Sequence, residues 1–284
     1  MERFRADRLA TLYVFHPLQS LRPRKWRIPI LMYHSVSEAE RSTRHAYFHT
    51  NTSPRVFEEQ LKLLNERQYQ VRNLSDAMGS AVNPRRATVI TFDDGFRDFY
   101  THAFPLLSRY RYTATVFLPT AYIGEGVHRS FNGTECMTWS QVRELQEAGI
   151  QFGSHTVTHP QLRTLSTKDV EEEIRRSKET IEDKLGSPIR SFAYPYAFPE
   201  TDLSFKRSLE TILEQAGYEN GVCTRIGTAD RSDNRFFLKR LPVNSCDDAT
   251  LFKAKLEGGY DWLHGLQYAA KLPSAMVSGP KKRS

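Results

Sequence analysis

Seven short apolar runs punctuate the chain, at 29–34 (PILMYH), 87–95 (ATVITFDDG), 113–119 (TATVFLP), 150–155 (IQFGSH), 189–196 (IRSFAYPY), 221–226 (GVCTRI) and 237–243 (FLKRLPV). Each has the length of a buried strand and ends in polar or turn-forming residues. Between them lie segments whose apolar residues recur every three or four positions, the helical period. Residues 53–68 predict a helix capped by Ser53, with Pro54 in its first turn and Phe57, Leu61 and Leu64 on one face. Residues 138–149 predict a second helix stopped by Gly149, and 166–186 a long charged one with Val170, Ile174, Ile181 and Leu185 as its inner stripe. A further helix is predicted over 202–217.

Alternation of strand and helix implies parallel strands joined by helical crossovers, an α/β fold. Seven strands admit an open sheet or a closed barrel. The residues able to do chemistry fall at the C-terminal ends of the runs: His34, Asp93 and Asp94, His155 and His159, and Tyr194 to Tyr196. In a (β/α) barrel those ends share one rim, where active sites sit, so the placement favours the barrel. The expected organisation is a single domain over 28–245, with a basic N-terminal extension at 1–27 and a C-terminal helix and basic tail at 246–284.

Composition is that of an ordinary globular protein, at 39% hydrophobic and 12% aromatic residues over 284 positions. The formal charge of +7 changes meaning once located. Seven Arg/Lys in the first thirty residues face only Glu2 and Asp7, and Lys281, Lys282 and Arg283 close the chain, which leaves the body near −1. That distribution does not support nucleic-acid binding. It allows a weak peripheral attraction of the basic termini to an anionic membrane surface. Cys136, Cys223 and Cys246 share no metal-type spacing and cannot all pair, so reduced thiols are expected. With no signal-peptide pattern at the N-terminus, the expected location is cytoplasmic, at the inner membrane face if the termini dock there.

Two adjacent carboxylates at the end of an apolar strand, Asp93 and Asp94, are costly unless something requires their charge. Asp-Gly alone is a turn signal. In GSHTVTHP, His155 and His159 stand four apart, a spacing that brings two imidazoles together on a turn. Two imidazoles and one carboxylate make a three-ligand zinc site with room for water and substrate, and the second aspartate is then free to act as a base.

TFDDG together with HTVTH resembles the polysaccharide deacetylases with the NodB homology domain, carbohydrate esterases that remove N- or O-acetyl groups. IPILMYHSVS, TWSQVRELQEAGIQFGSHTVTHPQL and SFAYPYAFP extend the likeness over residues 28–245. The resemblance implies a distorted (β/α)7 TIM-like barrel. It implies Asp93 as general base, Asp94, His155 and His159 as ligands of a divalent metal, usually Zn2+, and the Tyr196 amide as a donor to the oxyanion. Tyr194 and Pro195, in the same segment as Tyr196, would form a groove wall. Tyr33 and Trp139 join Tyr194 and Tyr196 as aromatic candidates for a sugar platform.

Two departures stand out. Many relatives carry an arginine that orients the base where this chain has Ala193, and Arg97, Arg190 and Arg240 are open substitutes. Many also carry a general-acid histidine after the last strand, where this chain has Asn244, leaving His34, Asp93 itself or solvent to supply the proton. The loop 120–137 reads either as an overhang shaping access or as a plain surface loop. The expected activity is metal-dependent removal of acetyl groups from an N-acetylhexosamine-containing glycan or its precursor. The alternatives are a same-fold hydrolase of non-peptide C–N bonds in a small molecule, or a carbohydrate-binding protein impaired in catalysis.

Overall fold

The computed structural model describes residues 5–20, 27–38, 49–78 and 86–277. All seven apolar runs form strands: β1 (Ile30–Tyr33), β2 (Ala87–Phe92), β3 (Thr115–Leu118), β4 (Gln151–Ser154), β5 (Ser191–Ala193), β6 (Asn220–Ile226) and β7 (Leu238–Pro242). They are parallel and run β1-β7-β6-β5-β4-β3-β2 around the sheet, which closes where Ile30 to Tyr33 of β1 pair with Val89 to Phe92 of β2. A closed parallel ring has no free edge.

The ring is distorted in two places. A short strand, Gln70–Arg72, pairs with the first half of β2, and β3 takes over only at Thr91. Between β6 and β7 the register slips, with Val222 opposite Leu238 but Ile226 opposite Arg240, and an irregular loop at 227–237 stands where a crossover helix belongs. Such bulges re-aim side chains next to functional sites.

Helices Pro54–Glu66, Trp139–Glu147, Thr167–Leu185 and Leu203–Gln215 surround the ring as the periodicity predicts. Ser53 Oγ accepts from Val56 N, Thr138 and Gln141 form a reciprocal capping box, and Gly186 ends the long helix at φ +63°.

Successive side chains of a strand point to opposite sides, and here they split the core in two. Ile30, Val89, Phe117, Ala193, Val222 and Leu238 plug the barrel interior. Their neighbours Leu31, Ile90, Val116, Phe192, Cys223 and Leu241 pack outward with the helices. The same parity carries the inward rows to the mouth: Ile30 leads to His34, Val89 to Asp93, Gly153 to His155 and Leu238 to Arg240. The interior is therefore apolar below and polar at its C-terminal end.

The described part of the N-terminal extension packs on the body. Residues 6–20 are helical and lie on the chain after β7: Arg5 pairs with Asp7 and Asp247, Asp7 accepts from the Tyr260 hydroxyl at 2.6 Å, and Phe15 stacks on Trp262. Lys255 and Asp247 form a buried ion pair beneath them. The rest of the basic N-terminus, at 1–4 and 21–26, and the tail at 278–284 lie outside the described residues.

Gly153 has space for no side chain, since a Cβ there would come within 2.6 Å of the Phe117 ring and of Ser191 O. Gly153→Ala should therefore cost about 1–3 kcal/mol through overpacking. Chemical denaturation checks this, and an unchanged midpoint would show that the plug has slack.

Candidate active site

The strand β2 ends at Phe92, so both aspartates lie just beyond it. Asp93 continues the inward row, whereas Asp94 turns at φ +71° and Gly95 follows at φ +59°. This left-handed turn is what separates the two carboxylates. Position 95 favours glycine, because its φ of +59° is left-handed and a Cβ there would meet the tips of the Leu118 and Ile123 side chains at 2.9 and 3.0 Å.

The histidine pair also sits on a turn and not a helix. Thr156 (φ +69°) and His159 (φ +56°) are left-handed, and the turn is closed by His159 N donating to Thr156 Oγ1 at 3.0 Å. Glu173, on the helix Thr167–Leu185, accepts from Val157 N, Thr158 N and Thr158 Oγ1 at 2.8–2.9 Å. Asp94, Thr156, His159 and Tyr196 are four of the seven non-glycine residues with positive φ among the described residues. Backbone strain is thus gathered at one place, as at functional sites generally.

These turns bring Asp94 Oδ1 within 3.6 Å of His155 Nε2 and 3.4 Å of His159 Nε2, while the two Nε2 atoms are 3.2 Å apart. His155 Nδ1 donates to Ala193 O at 2.8 Å, which leaves its Nε2 as an acceptor. Burial lowers both imidazoles, His159 to about 3, so they are neutral at pH 7. Asp94 Oδ1 is buried and has no hydrogen-bond donor among the described residues. Burial and then the charge of Asp93 push its carboxyl up to about 8. The three ligand atoms converge on one point, the carboxyl is raised because nothing there offsets its charge, and an N, N, O donor set of this kind suits a divalent metal.

Asp93 is gripped from the other side. Arg240 donates from both terminal nitrogens to its two carboxylate oxygens at 2.7 Å, with the side chains 0% and 3% exposed. Arg240 Nε also donates to Cys223 O in the irregular stretch of β6, at 3.2 Å. Burial works to raise Asp93, but Arg240 and His155 outweigh it and hold the carboxyl far below its usual range. His34 Nε2 lies 3.9 Å from Asp93 Oδ2, and burial lowers its imidazole to about 4.

A profile described as polysaccharide deacetylase matches residues 80–221, half of the chain. The chain belongs to the polysaccharide deacetylase family. It is thereby a hydrolase of carbon–nitrogen bonds other than peptide bonds. YxkH of Bacillus subtilis, named for the same family, is 27% identical over 235 residues, covering 81% of this chain and 76% of that protein. The poly-β-1,6-N-acetyl-D-glucosamine N-deacetylase of Staphylococcus aureus is 22% identical, covering 77% and 79%. In fold the chain is similar to the Streptococcus pyogenes deacetylase PplD solved with acetate (TM-score 0.69, 24% identity, 82% and 99% covered). It is also similar to IcaB from Ammonifex degensii (TM-score 0.65, 22% identity, 82% and 98% covered).

Of the three arginines open as substitutes for the missing family arginine, Arg97 pairs with Glu135 and Arg190 with Glu219, both at the surface, while Arg240 reaches Asp93. Asn244 spends its side chain on His49 O and Cys246 N, so His34 is the imidazole beside Asp93. The aromatic platform needs correction. Trp139 and Tyr194 are buried in the outer core, Tyr194 against Phe198 and Phe205, and Pro195 is buried too. Tyr33 faces outward onto Phe57 and Phe92. Tyr33 and Tyr194 have outward parity, which sends their rings into the helix layer, and the Trp139 ring lies in the same outer core.

Tyr196 alone of that set is exposed, its ring 4.6 Å from that of His159. Its carbonyl accepts from Thr224 Oγ1 at 2.9 Å, and Thr224 Oγ1 in turn accepts from Phe198 N at 3.0 Å. Its amide has no backbone acceptor among the described residues. The loop 120–137 is a wall: its hairpin places Phe131 against the His159 ring as well, at 4.8 Å. Sequence reasoning missed Phe131, Glu173 and Thr224, none of which stands in a motif.

Since Glu173 supports the turn between the two histidines without touching them, Glu173→Ala should weaken divalent-metal affinity about 10–100-fold. Competition with a chromophoric chelator measures this. Unchanged affinity would mean that the turn holds its shape unaided.

Proposed function

We propose that this chain removes acetyl groups from the amino nitrogen of N-acetylhexosamine units in a glycan, with Zn2+ held by Asp94, His155 and His159. The observation that carries the reading is the pairing of two unlike halves at one barrel mouth. One half is a buried carboxyl and two imidazoles whose ligand atoms converge, and the other is a buried carboxylate locked by a bidentate arginine. The S. aureus relative, named as an N-deacetylase of poly-β-1,6-N-acetyl-D-glucosamine, supports the substrate class.

When bound, the metal supplies a Lewis acid that polarises the acyl carbonyl and acidifies water. Asp93 takes the proton from the attacking water, whose oxygen bonds to the acyl carbon. Arg240 keeps Asp93 ionised and fixes the direction of its remaining lone pairs, so the pair provides orientation more than basicity. The Tyr196 amide meets the negative charge growing on the carbonyl oxygen. The C–N bond then breaks, and the nitrogen needs the proton that Asp93 holds. His34, neutral and next to Asp93, relays it. Free amine and acetate leave. The reading of an impaired binding protein draws on the absent family arginine and histidine, and Arg240 answers for the first of them.

Protein loaded with zinc should release acetate from N-acetylglucosamine oligomers. Asp93→Asn should abolish release with one ion still bound, whereas Asp94→Asn should lower the ion content itself. Acetate assays paired with metal analysis test this. Wild-type protein that holds its ion but releases no acetate from glycans or acetyl esters would contradict the proposal.

A further inference from the structure

The two terminal helical segments are amphipathic in the reverse sense. In 5–19 the exposed residues are Ala6, Leu9, Tyr13, Val14, Pro17 and Leu18, every one apolar and at helical spacing. Leu9, Tyr13, Val14 and Leu18 are 38–73% exposed. The polar side chains turn toward the body instead: Arg5 to Asp247, Arg8 to Asp248, His16 to Glu257 and Gln19 to Gly258 O.

The helix Leu263–Val277 repeats the pattern. Over 263–271 its exposed residues are Gly265, Leu266, Tyr268, Ala269 and Ala270. Its polar residues face inward, with His264 on Glu200, Gln267 on Thr224 O and Ile226 N, and Lys271 on Phe198 O. Residues 258–262 touch the N-terminal helix and lead directly into this one. A soluble protein rarely turns a helix inside out twice without something to cover the outward faces.

The charge pattern selects the cover. Between Arg8 and Ser37 the chain carries five Arg/Lys and no acidic residue, and from Trp262 to its end four more and again none. The rest of the chain has a slight acidic excess. Apolar faces flanked by basic, acid-free sequence are what a helix lying in an anionic lipid interface presents. A second copy packed across a two-fold axis would bring these like-charged segments together. No helix among the described residues is long and apolar enough to cross a membrane, so the contact is with the surface.

We infer that the outward faces of residues 6–18 and 265–270 form a docking surface for an anionic lipid bilayer. Through Gln267 and Lys271 this surface is joined to the segment that carries Tyr196, at the rim of the barrel that holds the site.

The test is co-sedimentation of the full chain with vesicles of phosphatidylglycerol and phosphatidylcholine, and with phosphatidylcholine alone. Wild type should bind the mixed vesicles at least about tenfold better, and about 0.5 M NaCl should release it. Leu9→Glu/Tyr13→Glu/Leu18→Glu should keep the wild-type circular dichroism and its activity on a soluble substrate, yet lose at least about tenfold in vesicle binding. Leu266→Glu is the milder second variant and should weaken binding without altering the fold. Equal binding to both vesicle types, or binding untouched by both variants, would overturn the inference. So would a wild-type dimer that the triple substitution splits into monomers, because the face would then belong to a second copy. Activity on soluble oligomers is read separately, so failure here leaves the deacetylase reading standing.

Discussion

The ion pair between Asp93 and Arg240 is the constraint on which the rest is built. Two charges taken out of water at the mouth of a barrel are expensive, and their attraction offsets that cost only with good geometry and further hydrogen bonds. Both conditions hold: the contact is bidentate, and Arg240 Nε is satisfied by Cys223 O. The slipped register between β6 and β7 accompanies that contact, so a distortion of the ring and a property of the site are one feature. Removing either partner would leave a buried charge alone, a loss of about 3–5 kcal/mol.

Around this pair the two aspartates are set to face different partners by backbone conformation. Asp93 stays on the inward row facing Arg240 and His34, and Asp94 turns away toward the histidines. Four left-handed residues store strain here, and each has a local anchor: Gly95 after Asp94, Glu173 and Thr156 in the histidine turn, Thr224 behind Tyr196. Phe131 and Tyr196 both pack on the His159 ring, which restricts its freedom. The arrangement is preorganised before any substrate arrives, which is where most of the catalytic advantage of such sites resides.

Much of this was legible in the chain. Strand runs of the right length bounded by glycine, proline and aspartate made all seven strands readable, because fully buried parallel strands are continuous in their apolarity. Ser53, Thr138 and Gly186 marked helix ends through local chemistry that tertiary context did not override. The candidate metal ligands Asp94, His155 and His159 stand out in the chain because turn motifs concentrate them in a few residues. Arg240 could only be shortlisted, although parity held a clue: Leu238 is an inward plug residue, so Arg240 two positions later had to point to the mouth. The aromatic platform failed on the same rule, since Tyr33 and Tyr194 sit one position out of phase with the inward row. Glu173, Thr224 and Phe131 were invisible because they act across elements distant in sequence, and no local pattern records such contacts.

The measurement that bears most directly on this account is the steady-state kinetics of Arg240→Lys deacetylating an N-acetylglucosamine oligomer. Lysine keeps the buried charge, and with it the fold, but cannot grip both oxygens of Asp93. If orientation of Asp93 is what the pair provides, kcat should fall by about 10²-fold or more, with KM and zinc content near wild type. A kcat within about twofold of wild type would show that Asp93 needs no such grip, and the central role given to the pair would be wrong.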